Sequence, residues 1–83
     1  MKKAYITIHV DSGDSVIAWF PDFPNLRVPG DRLADTLCTA SLVLEEHIDQ
    51  MRQQGRTVPE PTTPDIWSIY AEHPTALIGF SEV

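Results

Sequence analysis

The chain has 83 residues, of which 42% are hydrophobic and 22% are charged, so we expect one small folded domain rather than a disordered segment. Twelve Asp and Glu residues outweigh six Lys and Arg residues, and the formal net charge of −6 disfavours direct binding to nucleic acid. The single cysteine, Cys38, excludes an internal disulfide and a zinc site built from the cysteines of one chain.

The N-terminal part of the chain has the pattern of an antiparallel hairpin. Between Ala4 and Val10, apolar residues occupy every second position, as in a strand that buries one face. The polar turn DSGD, residues 11–14, leads into a second run of β-branched and aromatic residues, SVIAWF. Because neighbouring residues of a strand point to opposite faces, Trp19 and Phe20 are expected on opposite sides of the sheet, with one of them in the core.

A proline-rich corner, WFPDFPN, follows the hairpin. Pro21 and Pro24 cannot donate to a sheet ladder, so the second strand is expected to end there. Asn25 tolerates a left-handed conformation and is the candidate for the reversal of the chain. The segment LRV then predicts a short third strand, closed by Pro29 and Gly30.

After the corner, the apolar period changes to that of a helix. Apolar residues spaced three or four apart predict one buried helix face made of Leu33, Leu37, Ala40, Leu44, Ile48 and Met51. Asp31 is the predicted N-cap, and Gly55 is the predicted stop.

The C-terminal part begins with an extended connector, VPEPTTP, in which three of seven residues are proline. Thr63 is the predicted N-cap of a short helix through IWSIYAE, which Pro74 ends, and ALIGFSEV predicts a final strand. The order of elements is three strands, a long helix, a short helix and a strand. It predicts an α+β fold with the long helix packed on one face of a small antiparallel sheet.

The order of these motifs resembles the HicB family of antitoxins from bacterial HicA–HicB toxin–antitoxin modules. The residues that carry the resemblance span about residues 4–64 and comprise WFPDFPN, LRV, PGDRLADTLCTASLVLEEHIDQM and GRTVPEPTTP. Asn25, Arg32 and Ala34 depart from the family pattern of Gly, Thr and an acidic residue. The resemblance implies a partial ribonuclease H-like fold and one domain over residues 1–83. Because the sequence ends just after the last strand, the C-terminal DNA-binding domain of many family members is not expected.

The resemblance also implies a function. HicB proteins bind small basic HicA ribonucleases, which cleave mRNA, and occlude their active surface. We therefore expect an antitoxin-like domain, not an enzyme, that needs no cofactor and binds a HicA-like protein. The chain has no apolar run long enough for a signal peptide or a membrane span, so a cytoplasmic location and no membrane partner are expected.

The candidate partner-binding residues lie in the first turn, at the end of the second strand and in the corner: Asp11, Asp14, Trp19, Asp22, Phe23 and Asn25. Two interpretations of the corner stay open: its residues can stabilise the fold by packing, or they can form a preorganised contact surface for the toxin. For self-association into a homodimer or higher oligomer, Cys38 and Leu42 lie one helical turn apart, away from the main apolar stripe. The exposed edge of the final strand would serve equally.

Two alternative functions remain. The first is a protein-interaction module of the same fold without a toxin partner. The second is a weak metal-dependent nuclease, for which Asp11 and Asp14 share a turn but lack a third, converging carboxylate on a strand. The three histidines are far apart in sequence and predict no catalytic site, and no metal site is expected.

Overall fold

The computed structural model describes residues 3–83 and shows an α+β fold built around one antiparallel sheet. The elements follow in the order β1 (Ala4–Asp11), β2 (Val16–Phe20), β3 (Phe23–Gly30), α1 (Leu33–Gln53), α2 (Ile66–Glu72) and β4 (Leu77–Glu82). The strands are arranged β3-β2-β1-β4, with every neighbouring pair antiparallel. The predicted fold class and order of elements are confirmed.

Strand β1 is buried on both faces, so the prediction that it buries only one face is wrong. Tyr5, Thr7 and His9 are at most 2% exposed on the side of α1, and Ile6 and Ile8 are at most 5% exposed on the other side. The cause is that both faces of the sheet are covered at β1, by α1 on one side and by Ile69 and Ala76 on the other.

The two faces of the sheet have separate apolar clusters. The larger cluster lies between the sheet and α1 and contains Tyr5, Ala18, Phe20, Phe23, Val28, Ala40, Leu44, Ile48 and Met51. The smaller cluster lies on the opposite face, where Ile6 and Ile8 pack with Ala76 and the α2 residue Ile69. Phe20 is in the larger cluster and Trp19 packs against the smaller one, which confirms the prediction that they point to opposite faces.

The buried face of α1 matches the predicted stripe except near its start. Ala40, Leu44, Ile48 and Met51 are buried, but the first buried position is Thr36, whereas the predicted Leu37 is 42% exposed. Thr36 lies four residues before Ala40 and therefore continues the same row toward the sheet.

The two ends of α1 differ in how well the sequence predicts them. The N-cap is Arg32 and makes no side-chain capping bond, so the prediction of Asp31 is wrong by one position. The C-terminal end is confirmed, since Gly55 has a φ of 70°. The Arg56 amide donates to the Met51 carbonyl at 2.8 Å, and the Gly55 amide donates to the Arg52 carbonyl at 3.1 Å. This is the hydrogen-bond pattern of a Schellman motif, which favours glycine at the left-handed position.

Strand β3 is longer than predicted: it includes Pro24, expected to help end the second strand, and Pro29, expected to close the third. Pro24 and Pro29 are tolerated because β3 is an edge strand, where a missing amide donor can face solvent. The reversal before it is a turn at Pro21 and Asp22. Asn25 lies within β3 and does not have positive φ, so the prediction that it makes the reversal is wrong.

The short helix α2 covers the predicted residues but begins at a different cap. Asp65, rather than Thr63, is the N-cap, and its carboxylate accepts hydrogen bonds from the Trp67 amide at 3.1 Å and the Ser68 hydroxyl at 2.8 Å. The hydrogen bond from Ser68 lowers the pKa of Asp65. Neither helix within residues 3–83 combines the length and apolar character needed to cross a membrane.

Candidate functional site

The proline-rich corner is fixed from beneath by aromatic side chains. Phe20 and Phe23 flank the turn, and both are buried in the core. The ring of Phe23 packs edge-to-face against Tyr5 at 5.2 Å and against His47 at 5.7 Å, measured between ring centroids. Phe23 is only 5% exposed and therefore supports the corner mainly from inside.

The connector between α1 and α2 is hydrogen-bonded to side chains of β1 and of the turn at the corner. The Tyr5 hydroxyl donates to the Pro59 carbonyl at 2.7 Å, and burial raises the pKa of that hydroxyl. Asp22 accepts from the Thr62 amide at 3.2 Å with one carboxylate oxygen and from the Thr62 hydroxyl with the other. These bonds hold the extended connector against the sheet, so the corner and the connector form one preorganised surface.

An ion pair just before β1 also holds the connector. The Lys3 ammonium lies 2.6 Å from the Glu60 carboxylate, and both groups are solvent-accessible. Exposed pairs of this kind stabilise a protein by about 0–1 kcal/mol. The pair therefore orients the connector more than it stabilises the fold.

A pocket of about 240 Å³ opens between the corner and the C-terminal half of α1. Its lining residues come from the corner, the helix and the connector: Asp22, Phe23, Pro24, Asn25, Leu26, His47, Met51, Arg56 and Pro59. The floor is apolar and the polar groups lie on different elements, as in pockets that receive an anchoring side chain of a protein partner.

Acidic residues line the solvent side of α1. Asp35, Glu45, Glu46 and Asp49 are all exposed, and the last three lie in the same half of the helix as the pocket residues His47 and Met51. Among the described residues, the only ion pair is that between Lys3 and Glu60, so none of these helix carboxylates forms an ion pair there. They form a run of exposed negative charge on the solvent side of the helix.

The six partner-binding residues named from the sequence do not form one patch. Asp22, Phe23 and Asn25 lie at the corner, whereas Asp11 and Asp14 lie in the turn at the opposite end of β2. The Asp11 carboxylate accepts from the Gly13 amide at 2.8 Å and so shapes that turn.

Trp19 lies on the sheet face away from α1. Its ring packs edge-to-face against His73, with the ring centroids 5.2 Å apart. Both residues line a groove of about 460 Å³, together with Val10, Ser12, Ile17 and Arg27. This groove and the corner therefore lie on different surfaces of the sheet.

The candidate self-association residues on α1 are both exposed. Cys38 is a free cysteine, and the side chain of Leu42 is 67% exposed. Within residues 3–83, no group of three or more His, Cys, Asp or Glu side chains is arranged to hold a metal ion.

A buried polar network between β1 and α1 was not expected from the sequence. His9 is 1% exposed, with Nε2 at 3.1 Å from the Thr7 hydroxyl and Nδ1 at 3.3 Å from the Thr36 hydroxyl. The Thr36 hydroxyl donates to the Leu33 carbonyl at 2.9 Å, so its oxygen accepts from Nδ1–H. Nε2 then accepts from Thr7, and the neutral imidazole is fully hydrogen-bonded.

We expect this network to make stability depend on pH. Burial lowers the pKa of His9 below its ordinary value of 6.5, because no charged group compensates a buried imidazolium. The unfolded chain therefore binds a proton more readily than the folded chain, and stability falls as the pH drops below about 6.5. For one proton, the slope cannot exceed about 1.4 kcal/mol per pH unit. Denaturant titrations at several pH values between about 7.5 and 5 measure this dependence.

A matched variant isolates the contribution of His9. In His9→Gln the slope below about pH 6.5 is expected to be smaller than in the unmodified chain, although the variant is less stable at neutral pH. An unchanged slope in the variant would assign the pH dependence to other groups.

Asp22 is expected to hold the connector rather than to stabilise the whole fold. Replacing Asp22 with alanine removes both bonds to Thr62, which are solvent-accessible, so the free energy of unfolding should fall by only about 1 kcal/mol. Hydrogen exchange of the connector amides, residues 56–65, should accelerate at the same time. Asp14→Ala is the control, since Asp14 is an exposed turn carboxylate, and it should leave connector exchange unchanged. Equal exchange in the two variants would contradict the assigned role.

In comparisons with protein-family models, curated proteins and solved structures, nothing matches this chain. A functional hypothesis for this chain therefore rests on the geometry of the corner, the charge of α1 and the resemblance in motif order.

Proposed function

We propose that this chain is an antitoxin-like domain that binds a small basic ribonuclease of the HicA type and occludes its active surface. The observation that carries the proposal is a run of exposed carboxylates without ion pairs, Glu45, Glu46 and Asp49, in a chain whose proline-rich corner is already fixed in shape. These carboxylates lie in the same half of α1 as the pocket residues His47 and Met51. The motif order that resembles HicB proteins supports the choice of partner.

Electrostatics supports a basic partner in this proposal. A chain of net charge −6 attracts a positively charged protein over distances of about one Debye length, or about 8–10 Å in moderate salt. Carboxylates at the rim of an interface act mainly by accelerating association and by rejecting partners of the wrong charge. The acidic half of α1 is suited to both effects.

Preorganisation supports the corner as the anchoring point. The bonds from Tyr5 to Pro59 and from Thr62 to Asp22 fix the rim of the pocket before any partner arrives. A surface that is already ordered loses less conformational entropy on binding, so more of the contact energy is retained as affinity. A side chain of the toxin would enter the pocket between Asn25 and His47.

A search for an adjacent gene that encodes a small basic protein, followed by co-purification with that protein, tests the proposal. The expected result is a stable complex that weakens as the salt concentration rises. A missing neighbour, or a neighbour that does not bind, would favour the alternative of an interaction module without a toxin. Magnesium-dependent RNA cleavage by the chain alone, abolished at Asp11 or Asp14, would instead support the nuclease alternative.

A further inference from the structure

The two edges of the sheet differ in how they are protected from pairing with another strand. The edge strand β3 contains Pro24 and Pro29 and a register shift against β2 between Trp19 and Phe20. Prolines and bulges are common devices that prevent pairing at an edge. The other edge strand, β4, has neither, and within the described residues it pairs only with β1.

The hydrogen-bond register identifies which groups of β4 face outward. Lys3 and Val83 exchange both backbone bonds, each at 2.9 Å, so they form a hydrogen-bonded pair. Hydrogen-bonded pairs alternate along an antiparallel ladder, and the next ones are Tyr5 with Ser81 and Thr7 with Gly79. The intervening residues of β4, namely Ile78, Phe80 and Glu82, therefore direct their N–H and C=O groups to the free edge.

The side chains at this edge are mostly apolar. Phe80 is 68% exposed, and Ile78 is partly buried beside it on the sheet face away from α1. Glu82 is the only charged residue of β4. Two copies of a chain of net charge −6 repel each other over most of their surfaces, so association is least opposed where a contact brings few charges together.

We infer that the free edge of β4 pairs with the same edge of a second copy of this chain, antiparallel and centred on Phe80. In this register Phe80 lies opposite Phe80 of the partner subunit, and Ile78 lies opposite Glu82 of the partner subunit. Each outward N–H and C=O of these three residues then has a backbone partner, and the two Glu82 carboxylates do not face each other. The result is one continuous sheet across the dimer, and the inference does not depend on toxin binding.

The oligomeric state in solution tests the inference. Sedimentation velocity over a concentration series of the full chain should show a dimer that dissociates on dilution. Phe80→Pro removes an outward amide without breaking a bond within the chain, and Phe80→Lys introduces a charge at the centre of the contact. Each is expected to weaken the dimer by at least about tenfold. Leu42→Lys, at the exposed candidate position on α1, is the matched control and should leave the dimer intact.

Hydrogen exchange supplies a readout specific to the edge. The amides of Ile78, Phe80 and Glu82 should be protected at concentrations where the dimer forms and should exchange freely on dilution. Circular dichroism of Phe80→Lys checks that the monomer remains folded. A chain that is monomeric at all concentrations would overturn the inference, as would a dimer whose edge amides stay unprotected. A dimer that Leu42→Lys dissociates and Phe80→Lys does not would overturn it in favour of a contact through α1.

Discussion

Replacement of Phe23 with alanine is expected to lower the free energy of unfolding by about 3–5 kcal/mol, because it removes a buried aromatic ring and leaves a cavity. The ring contacts Tyr5, Phe20 and His47, so the sheet, the corner and α1 all lose packing at once. For a domain of this size, the midpoint of thermal unfolding should fall by roughly 15 °C or more. Thermal and denaturant unfolding measure both quantities.

Phe80→Ala is the matched control for this prediction. It makes the same change in side-chain size at a ring that is 68% exposed, so the cost should be below about 1 kcal/mol when measured at concentrations where the chain is monomeric. Equal destabilisation by the two substitutions would contradict the role of Phe23 in the core. A Phe23→Ala protein of unchanged stability that has lost its partner would show instead that the corner serves recognition.

The second large effect concerns partner binding rather than stability. Joint replacement of Glu45, Glu46 and Asp49 with lysine should weaken binding of a basic toxin by roughly 30-fold or more, since each exposed charge contributes up to about 1 kcal/mol and reversal adds repulsion. The association rate should fall more than the dissociation rate rises. Surface plasmon resonance at two salt concentrations measures the affinity and both rates.

Stability and salt provide the controls for the charge reversal. The three substituted positions are exposed and lysine is a good helix former, so the unfolding midpoint should change little. The difference in affinity should shrink between about 0.1 M and 1 M salt as the charges are screened. Reversal of Asp11 and Asp14 in the distant turn should have a smaller effect. If the turn reversal abolished binding and the helix reversal did not, the interface would lie at the opposite end of the sheet.

Much of the fold follows from local sequence signals. Gly55 ends α1 because only a residue without a side chain readily adopts the left-handed conformation of that cap. Pro21 ends β2 because it cannot donate to the ladder. These features depend on a few neighbouring residues, and a short sequence window contains what determines them.

The features that the sequence did not reveal depend on contacts between distant segments. The alternation in β1 suggested that the isoleucines form its one buried face, yet Tyr5, Thr7 and His9 face α1. The packing of α1 on one face and of Ile69 and Ala76 on the other decides this, and these contacts join segments that are distant in the chain. Thr36 occupies the core position expected for Leu37. Its hydroxyl is hydrogen-bonded to His9, which lies 27 positions away in the sequence.

The sequence identifies the residues of the candidate site, but it does not reveal which other residues surround them in the folded chain. WFPDFPN is recognisable from its prolines and aromatic residues, but the tie between Asp22 and Thr62 spans 40 positions. The same long-range packing buries Phe23 and places the corner beside His47 and Met51 of α1. Sequence spacing carries no information on which charged residues become neighbours of the corner.

The most direct test of the proposed function is a titration of RNA cleavage. A small basic ribonuclease of the HicA type, encoded by a gene adjacent to that of this chain, would be incubated with RNA, and the chain added in increasing amounts. If the chain occludes the active surface, cleavage should fall in proportion to the added chain and stop once the two proteins are equimolar, while the charge-reversed α1 variant should require a large excess. Cleavage that continues undiminished at an excess of the unmodified chain would contradict the antitoxin function.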